Sequence, residues 1–543
     1  MFRHVSFWVL FLSFAIPAST QTPSTTRVSV DSAGGQAGGG ILSSGSDRPA
    51  ISGDGRFVTF SSDASNLVSG DTNGVTDIFV HDRQTGQTSR VSVDSAGGQG
   101  DSMSDDPSIS VDGRFVAFQS WASNLVPGDT NLSVDIFVHD RQTGQTTRVS
   151  VDSVGVQGYG QSYYPSISAD GRFVAFYCSS SNLVSGDTNG WGDTFVHDRQ
   201  TNDTTRVSVD SAGLQGNGES WECSISGDGR VVAFISAASN LVSGDTNWAR
   251  DVFVHDRQTG QTTRVSVDSA GGQGNGHCWN TSISHDGRFV AFDSIASNLV
   301  PGNVNSYEDI FVHDRQTGQI IQVSVDSLGV QGYARSDEPS ISADGRFVAF
   351  QSYTNFVPGG GALDSEIYVH DRQSGQTTVV SVDSTGMHRG GLSYLSSISA
   401  DGRFVAFQSS SSNLVPGDTN GLSDVFVRNP VGPPLTQSTF QRGQPAWLRT
   451  GSALPGETVW FYYSLAGLGL GPCHSQGSPC LDILDPVVMF GQATADSSGN
   501  ATLNLTVPQF APLVDVYTQA VILRGSQGTR SVTTNTITAP ILP

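Results

Sequence analysis

The sequence contains no lysine, so all 28 of its basic residues are arginine. Its 50 acidic residues outnumber them and give a formal net charge of −22. A protein that binds nucleic acid needs a basic surface to neutralise phosphates, so the composition argues against nucleic acid as a partner. Apolar runs of about 20 residues, the length that crosses a bilayer, are also missing, and we expect no transmembrane segment.

The short motifs of common catalytic sites are absent as well. The sequence has no G-x-S-x-G, no H-E-x-x-H and no G-x-x-x-x-G-K-[ST]. Segments with helical periodicity are absent too. No catalytic residue is assigned, and we expect binding rather than catalysis, with enzymatic activity left open.

The first twenty residues have the features of a secretory signal. Arg3 and His4 are followed by the apolar run Val5–Ile16 and then by small residues around Ala18–Thr20. A signal peptide over residues 1–20 predicts a secreted, periplasmic or cell-surface protein.

Five cysteines are present, and an exported chain permits disulfides. Cys473 and Cys480 flank a short turn-rich loop and are expected to form a disulfide. Cys178, Cys223 and Cys278 match no zinc-binding spacing, and a bridge between Cys223 and Cys278 is left open.

An Asp-Gly dipeptide recurs seven times, at Asp54, Asp112, Asp170, Asp228, Asp286, Asp344 and Asp401. Five of the six intervals are 58 residues and the last is 57. Each unit reads as a short strand, an Asp-Gly hairpin turn, a second strand such as RFVAFQS, a long polar connection, a third strand DIFVHD and a fourth strand TTRVSVD. Four short strands in each of several repeats predict the blades of a β-propeller.

The two ends of the repeat region indicate a closed ring. The seventh unit stops at Pro430 without a fourth strand, whereas a TTRVSV segment at Thr25–Val30 precedes the first unit. We therefore predict an all-β fold in which residues 22–430 form a monomeric seven-bladed propeller, closed by its N-terminal strand. Residues 431–437 are expected to be a proline-rich linker, and residues 438–543 a small β-sandwich used for attachment or partner contact.

The repeat PSISADGRFVAFQS at Pro339–Ser352, together with DIFVHDRQTGQTTRVSV at Asp135–Val151, resembles the TolB-like and WD-like propeller repeat. The resemblance covers every blade, although TolB itself has six. The C-terminal segment resembles a module that follows such repeats in exported bacterial proteins. This resemblance implies a periplasmic or extracellular scaffold for protein interaction, and it implies no reaction.

A His-Asp-Arg tripeptide ends the third strand of six units, beginning at His81 and recurring at His139, His197, His255, His313 and His370. Histidine next to aspartate is suited to acid–base chemistry, but six copies around a ring cannot meet one substrate. We interpret these residues as structural, with the aspartate stabilising a turn.

The connection before the third strand offers a candidate calcium site. In GDTNGVTD, oxygen ligands are available from Asp71, Asn73 and Asp77, and four more units repeat the pattern. An Asx-stabilised turn explains the same residues. Blade 5 has Asn303 at the first position, and blade 6 lacks the set.

Two residues before each first strand vary from blade to blade while the rest repeats. The candidate ligand-binding residues are Tyr163, Tyr164, Trp221, Glu222, Trp279, Asn280, Asp337 and Glu338. The other pairs are Asp47-Arg48, Asp105-Asp106 and Tyr394-Leu395. Aromatic and carboxylate side chains near a channel mouth suit binding of sugar or peptide.

The sequence therefore favours an exported propeller that binds a protein or glycan partner at the cell surface without catalysis. Two alternatives stay open. The first is a glycosidase or lyase that acts on extracellular polysaccharide through carboxylates of the variable face. The second is a structural ring stabilised by calcium.

Overall fold

The structure, a computed structural model, describes residues 24–38, 45–357, 364–387 and 390–429, and the backbone of nine strands between residues 435 and 542. The chain divides into two compact units, the first at Pro23–Val431 and the second at Gly432–Pro543. The predicted signal peptide and the Cys473–Cys480 pair lie outside the described residues.

The first unit consists of seven four-stranded antiparallel sheets, as the repeats predict. Blade 1 contains β2 (Ser46–Ile51), β3 (Phe57–Ser62), β4 (Asp77–Asp82) and β5 (Gln87–Arg90). Blade 2 contains β6 (Ser104–Ile109), β7 (Phe115–Ser120), β8 (Asp135–Asp140) and β9 (Gln145–Arg148). Blade 3 contains β10 (Ser162–Ile167), β11 (Phe173–Cys178), β12 (Asp193–Asp198) and β13 (Asp203–Arg206). Blade 4 contains β14 (Ser220–Ile225), β15 (Val231–Ser236), β16 (Asp251–Asp256) and β17 (Gln261–Arg264).

The remaining blades keep the same order. Blade 5 contains β18 (Cys278–Ile283), β19 (Phe289–Ser294), β20 (Asp309–Asp314) and β21 (Gln319–Gln322). Blade 6 contains β22 (Ser336–Ile341), β23 (Phe347–Ser352), β24 (Glu366–Asp371) and β25 (Gln376–Val379). Blade 7 contains β26 (Ser393–Ile398), β27 (Val405–Ser409) and β28 (Asp424–Arg428), and its fourth strand is β1 (Thr25–Arg27).

Blade 7 closes the ring. Strand β1 pairs antiparallel with β28, with Thr25 opposite Arg428 and Arg27 opposite Phe426. The predicted N-terminal closure is therefore confirmed. It gives both outer strands of this blade a partner and leaves the ring without an open seam between its first and last blades.

The Asp-Gly turn is held by side chains that the repeat always supplies. In blade 1, the Asp54 carboxylate accepts hydrogen bonds from the Ser52 hydroxyl (2.7 Å) and the Arg56 amide (2.9 Å). Gly55 has a φ of +73°, a left-handed conformation that glycine adopts without steric cost. The same arrangement recurs in each blade.

The apolar cores lie between blades rather than within them. One cluster joins Phe60 and Phe79 of blade 1 to Phe404 and Val425 of blade 7. The next cluster joins Val80 of blade 1 to residues of blade 2. Alternate residues of the same strand therefore pack against opposite neighbours, and the strands are buried on both faces.

The joint between neighbouring blades is a stack of charged and aromatic groups. The Phe57 ring contacts two guanidinium groups, that of Arg56 at 4.6 Å from the ring centroid and that of Arg141 in blade 2 at 4.3 Å. Arg141 belongs to a His-Asp-Arg tripeptide, and it also donates a hydrogen bond to the Gly113 carbonyl (2.6 Å). Cation–π contact and shape together fix the distance between the blades.

The other two members of the tripeptide are also engaged in the blade. In blade 1, Asp82 accepts two hydrogen bonds from Arg56, at 2.9 and 2.6 Å. His81 Nδ1 lies 2.9 Å from the Thr88 hydroxyl, and burial lowers the pKa of this histidine. These contacts agree with the structural interpretation of the motif.

The second unit has two sheets among its described strands. The first consists of β29 (Leu435–Gln437), β31 (Pro445–Thr450) and β34 (Ala501–Thr506). The second consists of β30 (Phe440–Gln441), β32 (Thr458–Ser464), β33 (Val487–Thr494), β35 (Asp515–Ile522), β36 (Val532–Thr533) and β37 (Ile537–Leu542). Strand β29 occupies residues assigned to the linker, and packing of the two sheets as a sandwich stays a prediction.

Cys178, Cys223 and Cys278 are free thiols, so the bridge left open between Cys223 and Cys278 is not formed. Within the described part of the chain, no helix is long and apolar enough to cross a membrane.

The packing at the joint predicts that alanine substitution at two glycines destabilises the protein to different extents. A Cβ at Gly171 would lie 2.1 Å from Cδ2 of Phe115 in the previous blade, whereas a Cβ at Gly186 would meet nothing within 4 Å. Both have left-handed φ, +72° and +80°. We expect Gly171→Ala to lower the free energy of unfolding by about 1–3 kcal/mol more than Gly186→Ala, because only the first adds overpacking to backbone strain. Urea denaturation of both variants measures the difference, and equal losses would contradict this account of the joint.

Candidate functional site

Every innermost strand is interrupted by a β-bulge at the two variable residues. In blade 1 the pairing of β2 with β3 shifts register between Asp47 and Ala50. One non-glycine residue in each bulge has a left-handed φ, between +35° and +57°. These seven bulge residues are Arg48, Asp106, Tyr164, Glu222, Asn280, Glu338 and Leu395.

Left-handed backbone at non-glycine residues costs about 1–2 kcal/mol each, and bulges often re-aim a side chain next to a functional site. A glycine would relieve the strain, yet none of the seven bulges has one. The ring therefore holds seven side chains in a conformation that the backbone alone disfavours.

The bulge residues surround a cavity of about 390 Å³ to which all seven blades contribute. The residue that follows each bulge residue completes its lining, and these residues are Pro49, Pro107, Pro165, Cys223, Thr281, Pro339 and Ser396. We call this space the central cavity. Its volume lies within the range of small-ligand pockets, about 300–1,000 Å³.

The structure divides the candidate residues into two groups. Tyr164, Glu222, Asn280 and Glu338 line the central cavity. The residues immediately before them do not line it, because they pair in register with the second strand of their blade. These residues are Tyr163, Trp221, Trp279 and Asp337.

Three of the seven bulge residues that line the cavity were not among the candidates, namely Arg48, Asp106 and Leu395. All three stand second in their variable pair, as the four candidates that line the cavity do. Position within the pair was the signal that could have identified them, but the sequence does not indicate which member of a pair turns inward.

The aromatic rings of the outward group already have protein partners. Tyr163 contacts Trp121, Tyr164 and Tyr177, with centroid separations of 6.1–6.3 Å. The guanidinium of Arg250 lies 4.9 Å from the Trp221 ring centroid. Packing between blades and loops therefore accounts for these rings.

One arginine and one carboxylate of the cavity form an ion pair. Arg48 Nη1 lies 2.7 Å from Asp106 Oδ1, and Arg48 Nε lies 3.3 Å from Asp105. Burial raises the pKa of Asp106, and the charge of Arg48 opposes the rise. Blades 1 and 2 are thus joined at the cavity wall by a neutralised pair.

Glu222 and Glu338 make no ion pair within the described part of the chain. Glu222 Oε2 accepts a hydrogen bond from the Asn280 amide at 3.0 Å, and burial raises the pKa of Glu222. Burial, followed by the charges of Asp337, Glu222 and Asp106, raises the pKa of Glu338 to about 7. Carboxylates from three alternate blades therefore interact electrostatically around the cavity.

Asp293 is a further buried carboxylate beside this group. Its side chain is fully buried, and neither carboxylate oxygen makes a hydrogen bond of ordinary geometry. Burial and the charges of Asp337 and Glu338 raise the pKa of Asp293 well above its usual range. Sequence reasoning missed this residue because the repeat places Ser, Gln, Tyr or Ile at the same position.

The candidate calcium loops contain an internal cation. In blade 1, Arg90 Nη1 lies 3.1 Å from both Asp71 Oδ1 and Asp77 Oδ2, and the Asn73 amide donates to Asp77 at 2.9 Å. The same arginine bridge recurs with Arg148, Arg206, Arg264 and Arg27. No group of three or more His, Cys, Asp or Glu side chains with metal-binding geometry occurs in the residues described. Calcium binding by these loops stays a prediction.

The protonation of Glu338 should be visible in stability. Its folded-state pKa of about 7 lies above the ordinary value of 4.5, so the folded protein binds more protons than the unfolded chain between these pH values. This group therefore stabilises the fold less as the pH rises from 5 to 8. We expect Glu338→Gln to raise the melting temperature more at pH 8 than at pH 5.

Differential scanning calorimetry at the two pH values measures this effect. Asp203→Asn, at an exposed position on β13, is the control and should shift the melting temperature equally at both. An equal shift for Glu338→Gln would contradict an ionisable, buried Glu338.

No protein-family model matches the sequence, and no curated protein is significantly similar to it. Solved structures that resemble this chain include one described as TolB from Agrobacterium tumefaciens, with 14% identity and a TM-score of 0.33, which covers 51% of this chain and 79% of that one. Another is the tricorn protease, with 13% identity and a TM-score of 0.30, for which the shares are 91% and 44%. A third is the WD40 repeat domain of RRP9, with 9% identity, a TM-score of 0.40 and shares of 75% and 99%. The seven four-stranded sheets themselves establish that Pro23–Val431 is a seven-bladed β-propeller.

Proposed function

We propose that the protein is an exported, non-enzymatic interaction scaffold whose central cavity binds a basic side chain of a partner protein. The observation that carries this proposal is the ring of seven left-handed, non-glycine residues around one cavity. A propeller that served only as a frame would gain stability from glycine at these positions. Strain kept at every blade is typical of a site that must hold its side chains in place.

The charge of the lining favours a cationic ligand. Arg48 forms an ion pair with Asp106, whereas neither Glu222 nor Glu338 forms an ion pair with a residue that the structure describes. The charges of Arg250 and Arg48 act on these two glutamates only at longer range. A guanidinium or ammonium group that entered the cavity would pair with these carboxylates and offset the cost of their burial. Tyr164 adds an aromatic ring, which attracts cations through its face.

The surface around the cavity supports a macromolecular partner. The connections between second and third strands lie on the same side of the propeller as the start of each first strand, because the strands are antiparallel. Four consecutive blades expose a large apolar side chain there, and these are Leu132, Trp191, Trp248 and Tyr307, with exposed fractions of 94, 51, 93 and 53%. Exposed apolar groups around a polar pocket are typical of protein-binding surfaces.

Export is the part of the proposal that rests on the sequence alone. A signal peptide over residues 1–20 would place the propeller in the periplasm or outside the cell. There it would meet partners with basic surfaces, which its net charge of −22 attracts.

Immobilised peptides that carry a central arginine, or the neutral isostere citrulline, test the cationic preference. We expect the full-length protein to bind the arginine peptides at least about tenfold more tightly, because citrulline lacks the charge that pairs with Glu222 and Glu338. Binding should strengthen from pH 5.5 to pH 8 as Glu338 ionises, since the pKa of Glu338 is about 7.

The double variant Glu222→Gln/Glu338→Gln should remove the preference for arginine. Its matched control is Asp101→Asn/Asp203→Asn, which removes the same charge from exposed positions away from the cavity lining. Equal binding of arginine and citrulline peptides, or equal losses in the two double variants, would contradict the proposal. A glycan array probed in parallel tells whether a sugar ligand takes the cavity instead.

A second function, cleavage of extracellular polysaccharide, is favoured by one observation. Glu338, with a pKa of about 7, could donate a proton, and Glu222 is a second carboxylate of the same cavity, as the acid–base pair of a glycosidase requires. Release of reducing ends from a panel of polysaccharides by the wild type, and its loss in Glu338→Gln, would establish this activity. No release by the wild type would exclude it for those substrates.

A further inference from the structure

Blade 5 departs from the other blades at the arginine bridge. In five blades, an arginine of the fourth strand joins two aspartates of the preceding connection. Blade 5 has Gln322 in place of the arginine and Asn303 in place of the first aspartate, while Asp309 keeps the second. In blade 6, Val379 replaces the arginine and Glu366 replaces the second aspartate. Part of the blade 6 connection lies outside the described residues.

Blade 7 shows what surrounds the arginine. Arg27 Nη1 lies 3.1 Å from Asp418 Oδ1, 3.3 Å from Asp424 Oδ2 and 3.1 Å from Gln36 Oε1. Three side-chain oxygens from three segments of the chain thus converge on one positively charged nitrogen.

The equivalent oxygens of blade 5 are Asn303 Oδ1, Asp309 Oδ2 and Gln331 Oε1. All three are buried, and none of them has a hydrogen-bond partner. The side chain of Asp309 is fully buried and makes no ion pair, and Asn303 is 6% exposed. In blade 5, none of the three equivalent atoms meets hydrogen-bond geometry with a donor among the described residues, although burial raises the pKa of Asp309 and the side chains of Asn305 and Gln322 lie close enough to oppose this rise.

Neighbouring contacts explain why these particular atoms are left over. The Asn303 amide nitrogen donates to the Ala296 carbonyl at 3.4 Å, which directs Oδ1 the other way. Ser324 donates to Asp309 Oδ1 at 2.8 Å and leaves Oδ2 free.

The third oxygen is freed by a change in the loop. In blade 2, Gln157 Oε1 accepts a hydrogen bond from the Thr130 amide and Gln157 Nε2 donates to its hydroxyl. Val304 replaces this threonine in blade 5, so Gln331 Nε2 has no hydroxyl to donate to at this position, and Gln331 Oε1 accepts no hydrogen bond from the described residues.

We propose that the connection of blade 5 binds one hard cation, Ca²⁺ or Na⁺, through Asp309, Asn303 and Gln331. Such cations select carboxylate and amide oxygens. A buried carboxylate and two buried amide oxygens without donors are costly, and a cation would compensate all three at once. With a single carboxylate, the affinity for Ca²⁺ should fall in the weak range of extracellular modules, with a Kd of about 10⁻⁴–10⁻³ M.

This site differs from the calcium loops that the sequence suggests. Those loops have two aspartates, and in five blades an arginine already bridges them. Among the connections that the structure describes in full, that of blade 5 has the fewest acidic side chains at these positions, and its three oxygens have neither an arginine nor a hydrogen-bond donor in bonding geometry.

Thermal denaturation of the full-length protein, titrated separately with CaCl₂ and NaCl, tests the proposal. At ten times the Kd, a bound cation should shift the folding equilibrium about tenfold and raise the melting temperature by about 1–3 °C. The variant Asn303→Asp/Gln322→Arg restores the bridge of the other blades, so it should fold and should lose this response.

The converse variant in blade 2, Asp129→Asn/Arg148→Gln, copies the two blade 5 substitutions and should gain a response. Asp309→Asn removes the one carboxylate and should weaken the response of the wild type. MgCl₂ at the same concentrations is the control for general screening of the acidic surface. The proposal is overturned if the wild type and Asn303→Asp/Gln322→Arg respond equally to both Ca²⁺ and Na⁺.

Discussion

The stack at the blade joint is the interaction on which the rest of this structure depends. An arginine of the Asp-Gly-Arg turn lies over a phenylalanine ring, and the arginine of the next blade's His-Asp-Arg lies over the same ring. The glycine of that next blade approaches the same ring so closely that a Cβ would overlap it. Both arginines are present at five of the seven joints, whereas Val231 replaces the ring between blades 4 and 5 and only Arg346 lies over Phe347 between blades 6 and 7. A joint that recurs with so few changes lets seven similar units close into one ring.

Closure in turn produces the central cavity. Each blade contributes a bulge at the same height, so seven side chains of different chemistry face one space. The blades are nearly identical wherever they touch one another and differ where they face the cavity. This separation lets charge and shape in the cavity vary without disturbing the joints, because the bulge residue takes no part in the stack.

The sequence was sufficient to predict the propeller, because the turn and strand patterns that define a blade recur in the repeats. The period, the Asp-Gly turn and the displaced TTRVSV segment together predict the number of blades and the closing strand. Only part of the candidate site could be predicted from the sequence. Variable pairs could be located, but Tyr163 and Tyr164 differ in direction because of a bulge, which depends on backbone geometry across two strands. The ion pair of Arg90 with Asp71 joins the end of β5 to the connection that precedes β4. A single sequence does not indicate that these two residues meet.

The closing strand has a consequence for the order of events in folding. Thr25 lies opposite Arg428, so the first segment of the propeller to be synthesised pairs with the last. Contacts over such a sequence separation form slowly, because the entropy cost of closing a long loop comes before the contacts can contribute any stabilising free energy. Strand β1 must stay unpaired while the intervening blades assemble, although six other edges in the same chain could accept its nearly identical sequence. Correct folding therefore depends on the order of strand pairing. The fourth strands of blades 1 to 6 must pair within their own blades before β1 pairs with the third strand of one of those blades.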